Sequence, residues 1–130
     1  MKIILSAFTF MLLFSSCKKT AKTSIAEGTY SGTFKVTYNT GTQTGPVTVD
    51  LINSNYNCSY NLNKIPAGGS GSYSYTNDKI TFSDQGIWTA DFDWGLVLGG
   101  EYNYSLSENS LIIWKDINGI PRYEYDLVKN

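Results

Sequence analysis

Asp91 and Asp93, separated by one residue, are a pair of carboxylates that could share general acid–base work. They alternate with Trp88, Ala90, Phe92 and Trp94. If the aromatic side chains face inward, both aspartates face water, so the alternation favours a solvated face over a catalytic pair. Cys58 lies in Tyr56-Asn57-Cys58-Ser59-Tyr60, alternating in phase with two tyrosines. That pattern reads as a small buried residue on a strand. A catalytic thiol is disfavoured because the chain contains no histidine to activate one. The same absence excludes a Ser-His-Asp arrangement. No run of oxygen ligands at EF-hand spacing occurs, and no glycine-rich loop leads into a helix. The expectation is a protein that is not an enzyme, with no cofactor and no metal. A carboxylate- or tyrosine-based isomerase inside a barrel is the enzymatic alternative left open.

The second cysteine suggests a different chemistry. Lys2 precedes an apolar run from Ile3 to Phe14, and Ser15 and Ser16 follow as small residues. This is the layout of a signal peptide. The run is about a dozen residues, short of the roughly 20 that span a hydrocarbon core. Phe14-Ser15-Ser16-Cys17 resembles a lipobox, with Phe14 in place of the usual leucine. The resemblance implies lipidation of Cys17 and cleavage just before it. Acyl chains at about 0.8 kcal/mol per buried CH₂ would anchor the protein to a membrane. We therefore expect residues 1–16 to be a lipoprotein signal peptide, 17–26 a lipidated cysteine with a flexible tether, and 27–130 the folded domain. The tether carries Lys18, Lys19 and Lys22 and no acidic residue. Surface-exported lipoproteins of Bacteroidota tend to carry an acidic cluster there, so the expected location is the outer membrane facing the periplasm.

Composition narrows the partners. Without the leader's single lysine, nine basic and eleven acidic residues remain. That balance implies neither nucleic acid nor any strongly charged partner, and a monomer is expected. If Cys17 is lipidated, Cys58 has no disulfide partner within the mature chain.

The elements that must position these residues are strands. Gly28 to Tyr38 alternates without a slip, with Tyr30, Phe34, Val36 and Tyr38 on one face and Thr29, Ser31, Thr33, Lys35 and Thr37 on the other. Residues 39–46 read as a loop, with Pro46 opening a strand over 47–51. Further strands are expected over 56–62, 72–76, 79–83, 88–94, 101–107, 110–115 and 123–127. Residues 66–71 read as the most flexible stretch. About nine strand segments with short links form a meander, and closing it into a barrel removes its edges. The first and last strands would then pair, with Lys35 opposite the acidic face of Glu124 and Asp126. The expected fold is all-β: an antiparallel up-and-down meander closing into a small lipocalin-like barrel of about eight strands. An open two-sheet sandwich is the alternative.

Gly28-Thr29-Tyr30-Ser31-Gly32, Lys79-Ile80-Thr81-Phe82 and Tyr123-Glu124-Tyr125-Asp126-Leu127 together resemble the lipocalin-like small lipoproteins of Bacteroidota. The resemblance covers residues 27–130 and implies an eight-stranded barrel that can hold an apolar ligand inside. Tyr30 stands where lipocalins proper have a tryptophan. Arg122 is the candidate for the late arginine that packs over that position, although alternation places it outward with Glu124.

Aromatic residues are dense in the last third of the chain. In a small barrel most serve as core. The candidate ligand-binding residues are Tyr30, Phe34, Trp88, Phe92, Trp94, Tyr102, Tyr104 and Trp114. The expected function is non-enzymatic binding of a small apolar or amphipathic ligand by a membrane-anchored envelope lipoprotein. The alternative is a protein–protein module, an envelope-complex accessory or hydrolase inhibitor, for which the apolar segment Leu96-Val97-Leu98 is the main support.

Overall fold

A computed structural model describes residues 24–130. The signal peptide, Cys17 and most of the expected tether lie outside those residues. Eight strands run β1 Gly28–Tyr38, β2 Gly41–Ile52, β3 Asn55–Cys58, β4 Gly69–Tyr75, β5 Lys79–Asp84, β6 Gly100–Ser107, β7 Ser110–Asp116 and β8 Arg122–Lys129. Each pairs antiparallel with its neighbours in sequence, and β8 pairs with β1 to close the barrel. The meander and its closure are therefore as the alternation predicts.

The closing register places Lys35 opposite Glu124, and their side chains form an ion pair at 3.3 Å. Such a half-exposed pair is worth ~0–1 kcal/mol, so it marks the register more than it stabilises it. Burial follows the pleat. In β1, Tyr30, Phe34 and Val36 are buried, and in β8 so are Tyr123, Tyr125 and Leu127. Alternation puts these residues on the inner wall, and a shift of one residue would turn the whole set to solvent.

The lumen is filled by rings. Phe34 lies 4.7 Å from Tyr125, Tyr125 6.1 Å from Tyr102, Tyr102 5.7 Å from Phe82, and Phe82 4.8 Å from Tyr56. Five strands thus contribute one row of aromatics across the barrel, at separations where tilted and edge-to-face pairs are favourable. The space in which the resemblance would place an apolar ligand is taken by side chains.

Several boundaries differ from the sequence reading. Residues 41–46 belong to β2, because β1 is long enough to pair with them from Gly41 to Pro46. Pro46 sits inside β2, beyond the reach of β3, whose pairing with β2 ends at Val49↔Cys58. There it removes no hydrogen bond between β2 and β3. The expected strand 56–62 stops at Cys58. The expected strand 88–94 does not form. Both edges of β5 and β6 are already taken, by β4 and β7 and by each other. A ninth strand has nothing to pair with, so this alternating segment crosses the barrel mouth as an irregular connection ending in a short 3-10 turn, Trp94–Leu96.

The two ends of the barrel differ. At one end lie the turns at 53–54, 76–78 and 108–109 together with the start of the described chain. Ile25, expected in the tether, is buried there, and its N–H donates to the Tyr75 hydroxyl at 3.2 Å. At the other end, which we call the rim, lie the turn 39–40 and the connections 59–68, 85–99 and 117–121.

Candidate functional site

A carboxylate holds the rim connection in place. Asp93 accepts hydrogen bonds from the hydroxyls of Tyr38 at 2.7 Å and Tyr123 at 2.6 Å, and from the Gly95 N–H at 2.9 Å. This corrects the expectation that Asp93 faces water. The side chain follows its partners, two tyrosine hydroxyls at the barrel mouth that would otherwise lack an acceptor. Burial pushes the Asp93 carboxyl up. The hydroxyls of Tyr123 and Tyr38, the Gly95 N–H and the charge of Lys115 outweigh that and hold it below its ordinary value. The Tyr38 and Tyr123 hydroxyls are pushed up, by burial first and by Asp93 second. With both oxygens engaged and its charge favoured, Asp93 works as a fastening. Asp91, by contrast, is exposed, as expected.

Behind this fastening, Leu96, Val97 and Leu98 are buried and close the mouth. Val97 bridges Gly68 in parallel, the Ala67 N–H donates to the Leu96 carbonyl, and the Leu98 N–H donates to the Gly68 carbonyl. The Tyr56 hydroxyl donates to the Leu98 carbonyl at 2.6 Å from inside the barrel. This segment is a plug, so it does not provide the exposed patch that would support a protein–protein module. The stretch 66–71, expected to be flexible, is partner to this plug, and Pro66, Ala67 and Gly68 are buried.

Outside the plug, at the rim, is a cleft of about 500 Å³. Its size lies within the range of small-molecule sites. The backbone from Ala67 to Gly69 contributes to its lining, together with Cys58, Tyr60, Leu62 and Trp88. Gly68 has φ +100°, and a side chain there would crowd the Tyr60 Cβ at 3.1 Å. Its lack of one keeps this part of the lining low. Trp88 is oriented by its surroundings: its indole N–H donates to Asp84, and its ring meets Phe92 edge-on at 6.1 Å. The Lys64 ammonium lies 4.1 Å from the centre of the Phe92 ring, a cation–π contact.

The candidate ligand residues separate into four groups. Tyr30, Phe34, Tyr102 and Tyr104 are buried barrel core. Trp88 lines the cleft, and Phe92 supports it from the side. Trp94 is exposed at the rim, its indole N–H donating to the Thr89 carbonyl. Trp114 lies on the outer wall, where β7 alternation turns it away from the buried Ile113, and Arg122 lies 5.7 Å from its ring. Only one of the eight, Trp88, lines the cleft. Tyr60, Leu62 and Lys64 were missed because Tyr60 and Leu62 continue the alternation of Tyr56 and Cys58 and so read as the inner face of the expected strand 56–62, whereas the strand ends at Cys58 and both are exposed.

Arg122 does not pack over Tyr30. It pairs in register with Thr37 near the rim and binds Glu124 at 2.8 Å, whereas Tyr30 lies near the opposite end, in register with Lys129. The Tyr30 hydroxyl instead donates to the Ala26 carbonyl at 2.6 Å.

Cys58 is buried at the inner edge of the cleft and is a free thiol. Burial pushes its pKa up to about 12, which leaves it protonated and unreactive at neutral pH. Among the described residues no group of histidine, cysteine and carboxylate side chains could hold a metal ion, and no helix is long and apolar enough to cross a membrane. No protein-family model, curated protein or solved structure matches the chain.

Proposed function

We propose that this protein is a membrane-anchored envelope lipoprotein whose barrel binds a small apolar or amphipathic ligand without catalysis. The lipid sits on Cys17, and the ligand site is the rim cleft beside Trp88, not the lumen. The observation that carries the reading is the cleft itself: about 500 Å³, with Trp88, Tyr60 and Leu62 on its surface, at the end of the barrel away from Ile25 and hence from the tether. A monomer on the outer membrane, facing the periplasm, would present this end away from the lipid. Native mass spectrometry of gently purified protein tests the binding half. A small molecule retained by the parent chain and lost in Trp88→Ala supports it, and equal retention by both places the ligand elsewhere. Palmitate labelling tests the anchor, and a label that persists in Cys17→Ser overturns it.

A second reading, a protein–protein module, draws on the same end. Leu62 and Ile87 are 98 % and 100 % exposed, and Trp94, Ile117 and Ile120 are exposed beside them in the chain's rim connections. Apolar side chains concentrated in the rim connections, though also exposed at Ile52 and Val128 near the other end, fit a partner surface.

A further inference from the structure

The lining of the cleft narrows the class of ligand, a step that rests on the cleft being the binding site. Lys64 is the one charged side chain among its lining residues. That ammonium already lies against Phe92 and acts on the Asp91 carboxylate. Asp84, which holds Trp88, is also engaged. One oxygen accepts from the Ser70 N–H and the other from the Trp88 indole. Asp84 is thus satisfied by neutral donors, and the Lys64 charge rests on a ring rather than in an ion pair; with one cation and no anion among its lining residues, the cleft suits a neutral ligand better than a cation.

The shape disfavours an acyl chain. A long chain needs an enclosed apolar tube, and the lumen that could supply one is filled by Phe34, Tyr56, Phe82, Tyr102 and Tyr125. The cleft opens instead to solvent between Tyr60, which is 72 % exposed, Leu62 and Trp88. At its edge Asn57 and Ser70 sit opposite one another in the β3–β4 register. Asn57 alternates with the buried Tyr56 and Cys58, and Ser70 shares its register position, so their amide and hydroxyl groups lie on the outer face. Aromatic faces beside amide and hydroxyl groups suit a ring with an apolar face and a hydroxylated rim. An aromatic ring packs on the C–H face of a pyranose, and an amide can donate to and accept from its hydroxyls. Because Asp84 and Phe92 orient the indole beforehand, little ordering is needed when a ring docks. We infer that the cleft takes a neutral saccharide, one sugar ring stacked on Trp88 with its hydroxyls bonded by Asn57 and Ser70.

The test uses the whole mature chain carrying Trp94→Phe and Trp114→Phe, so that Trp88 is the sole tryptophan reporter. An array of neutral oligosaccharides selects probes, which are then titrated in solution beside palmitate and benzoate. At least one neutral oligosaccharide should shift the Trp88 emission. Asn57→Ala and Ser70→Ala should each weaken it about tenfold, the loss of one hydrogen bond, with no change in thermal midpoint. If palmitate or benzoate moves the Trp88 emission and no saccharide does, the saccharide assignment is overturned and the cleft stands. If no probe moves it, both fall. Saccharide binding that survives Trp88→Ala, read by native mass spectrometry because the reporter is then gone, overturns the stacking and moves the site elsewhere.

Discussion

The hydroxyl of Tyr123 donates to the carboxylate of Asp93 at 2.6 Å, tying the β5–β6 connection to strand β8 across the mouth of the barrel. Tyr38 on β1 makes the same bond from the other side of the closing seam. One carboxylate therefore joins the connection to both strands that close the barrel. The plug Leu96–Leu98 and the segment that carries Trp88 flank this point, so the shape of the cleft depends on it. Replacing Asp93 by alanine leaves the buried Tyr123 hydroxyl without its acceptor. The expected cost is about 1–3 kcal/mol, read as a lower midpoint in urea. Trp88 emission should shift to the red as the connection loosens.

Acid should weaken the same fastening. The Asp93 carboxyl is held below its ordinary value in the folded chain, so near and below that ordinary value, roughly pH 4, the unfolded chain binds more protons. The stabilisation is complete above that pH and is lost as pH falls through the depressed folded value. For Glu124, burial raises the carboxyl but Arg122 and Lys35 lower it further, with the same sign of effect. Asp126, raised by burial and by Glu124, works in the opposite direction. Unfolding midpoints measured from pH 6 to pH 2 should therefore fall less steeply in Asp93→Asn than in the parent chain. An acid limb unchanged by that substitution would remove Asp93 from this role.

Gly32 marks where the barrel closes most tightly. A Cβ at this position would stand 1.8 Å from the Asp126 carbonyl oxygen, a backbone atom of the paired strand β8. Relief requires moving β1 from β8, since no rotamer can answer a backbone clash. Gly32→Ala should cost at least the upper part of the ~1–3 kcal/mol typical of overpacking. The exposed neighbour substitution Thr33→Ala should stay within about 0.5 kcal/mol. Paired denaturation curves check both, and equal midpoints would contradict the seam geometry.

Cys58 provides a probe of opening. Its thiol is buried and raised to about 12, so it should resist iodoacetamide at pH 8 in the folded protein and react when the chain unfolds. Labelling followed by intact-mass measurement reads this directly. Asp93→Ala should speed the labelling if the plug and the Cys58 edge of the cleft open together.

Much of the barrel could be read from alternation. The run from Gly28 to Tyr38 and the run from Tyr123 to Leu127 each carry one apolar face, and the outward Lys35 opposite the face of Glu124 and Asp126 agreed with closure between these strands; the register chose Glu124. The same rule failed at Trp88–Trp94, which alternates as cleanly as any strand. Alternation reports that a segment can present two faces, and it says nothing of whether a neighbouring strand has an edge to offer. It also assigned Asp93 to solvent, because the pleat that would have turned it outward never forms.

The candidate site was less legible for a related reason. Among eight aromatic candidates only Trp88 lines the cleft, and Tyr60 and Leu62 continue an alternation that the strand itself abandons after Cys58. Composition and patterning by themselves determined an all-β fold, its main strand faces, the pairing of its first and last strands and the burial of Cys58, since these follow from local period and residue type. Tertiary structure alone decided that the lumen is filled with rings, that Leu96–Leu98 form a plug and that a cleft lies at the rim. Those outcomes depend on which side chains meet across the barrel, from Phe34 to Tyr56 and from Asp93 to Tyr123. Such meetings are set by closure and packing between residues distant in sequence.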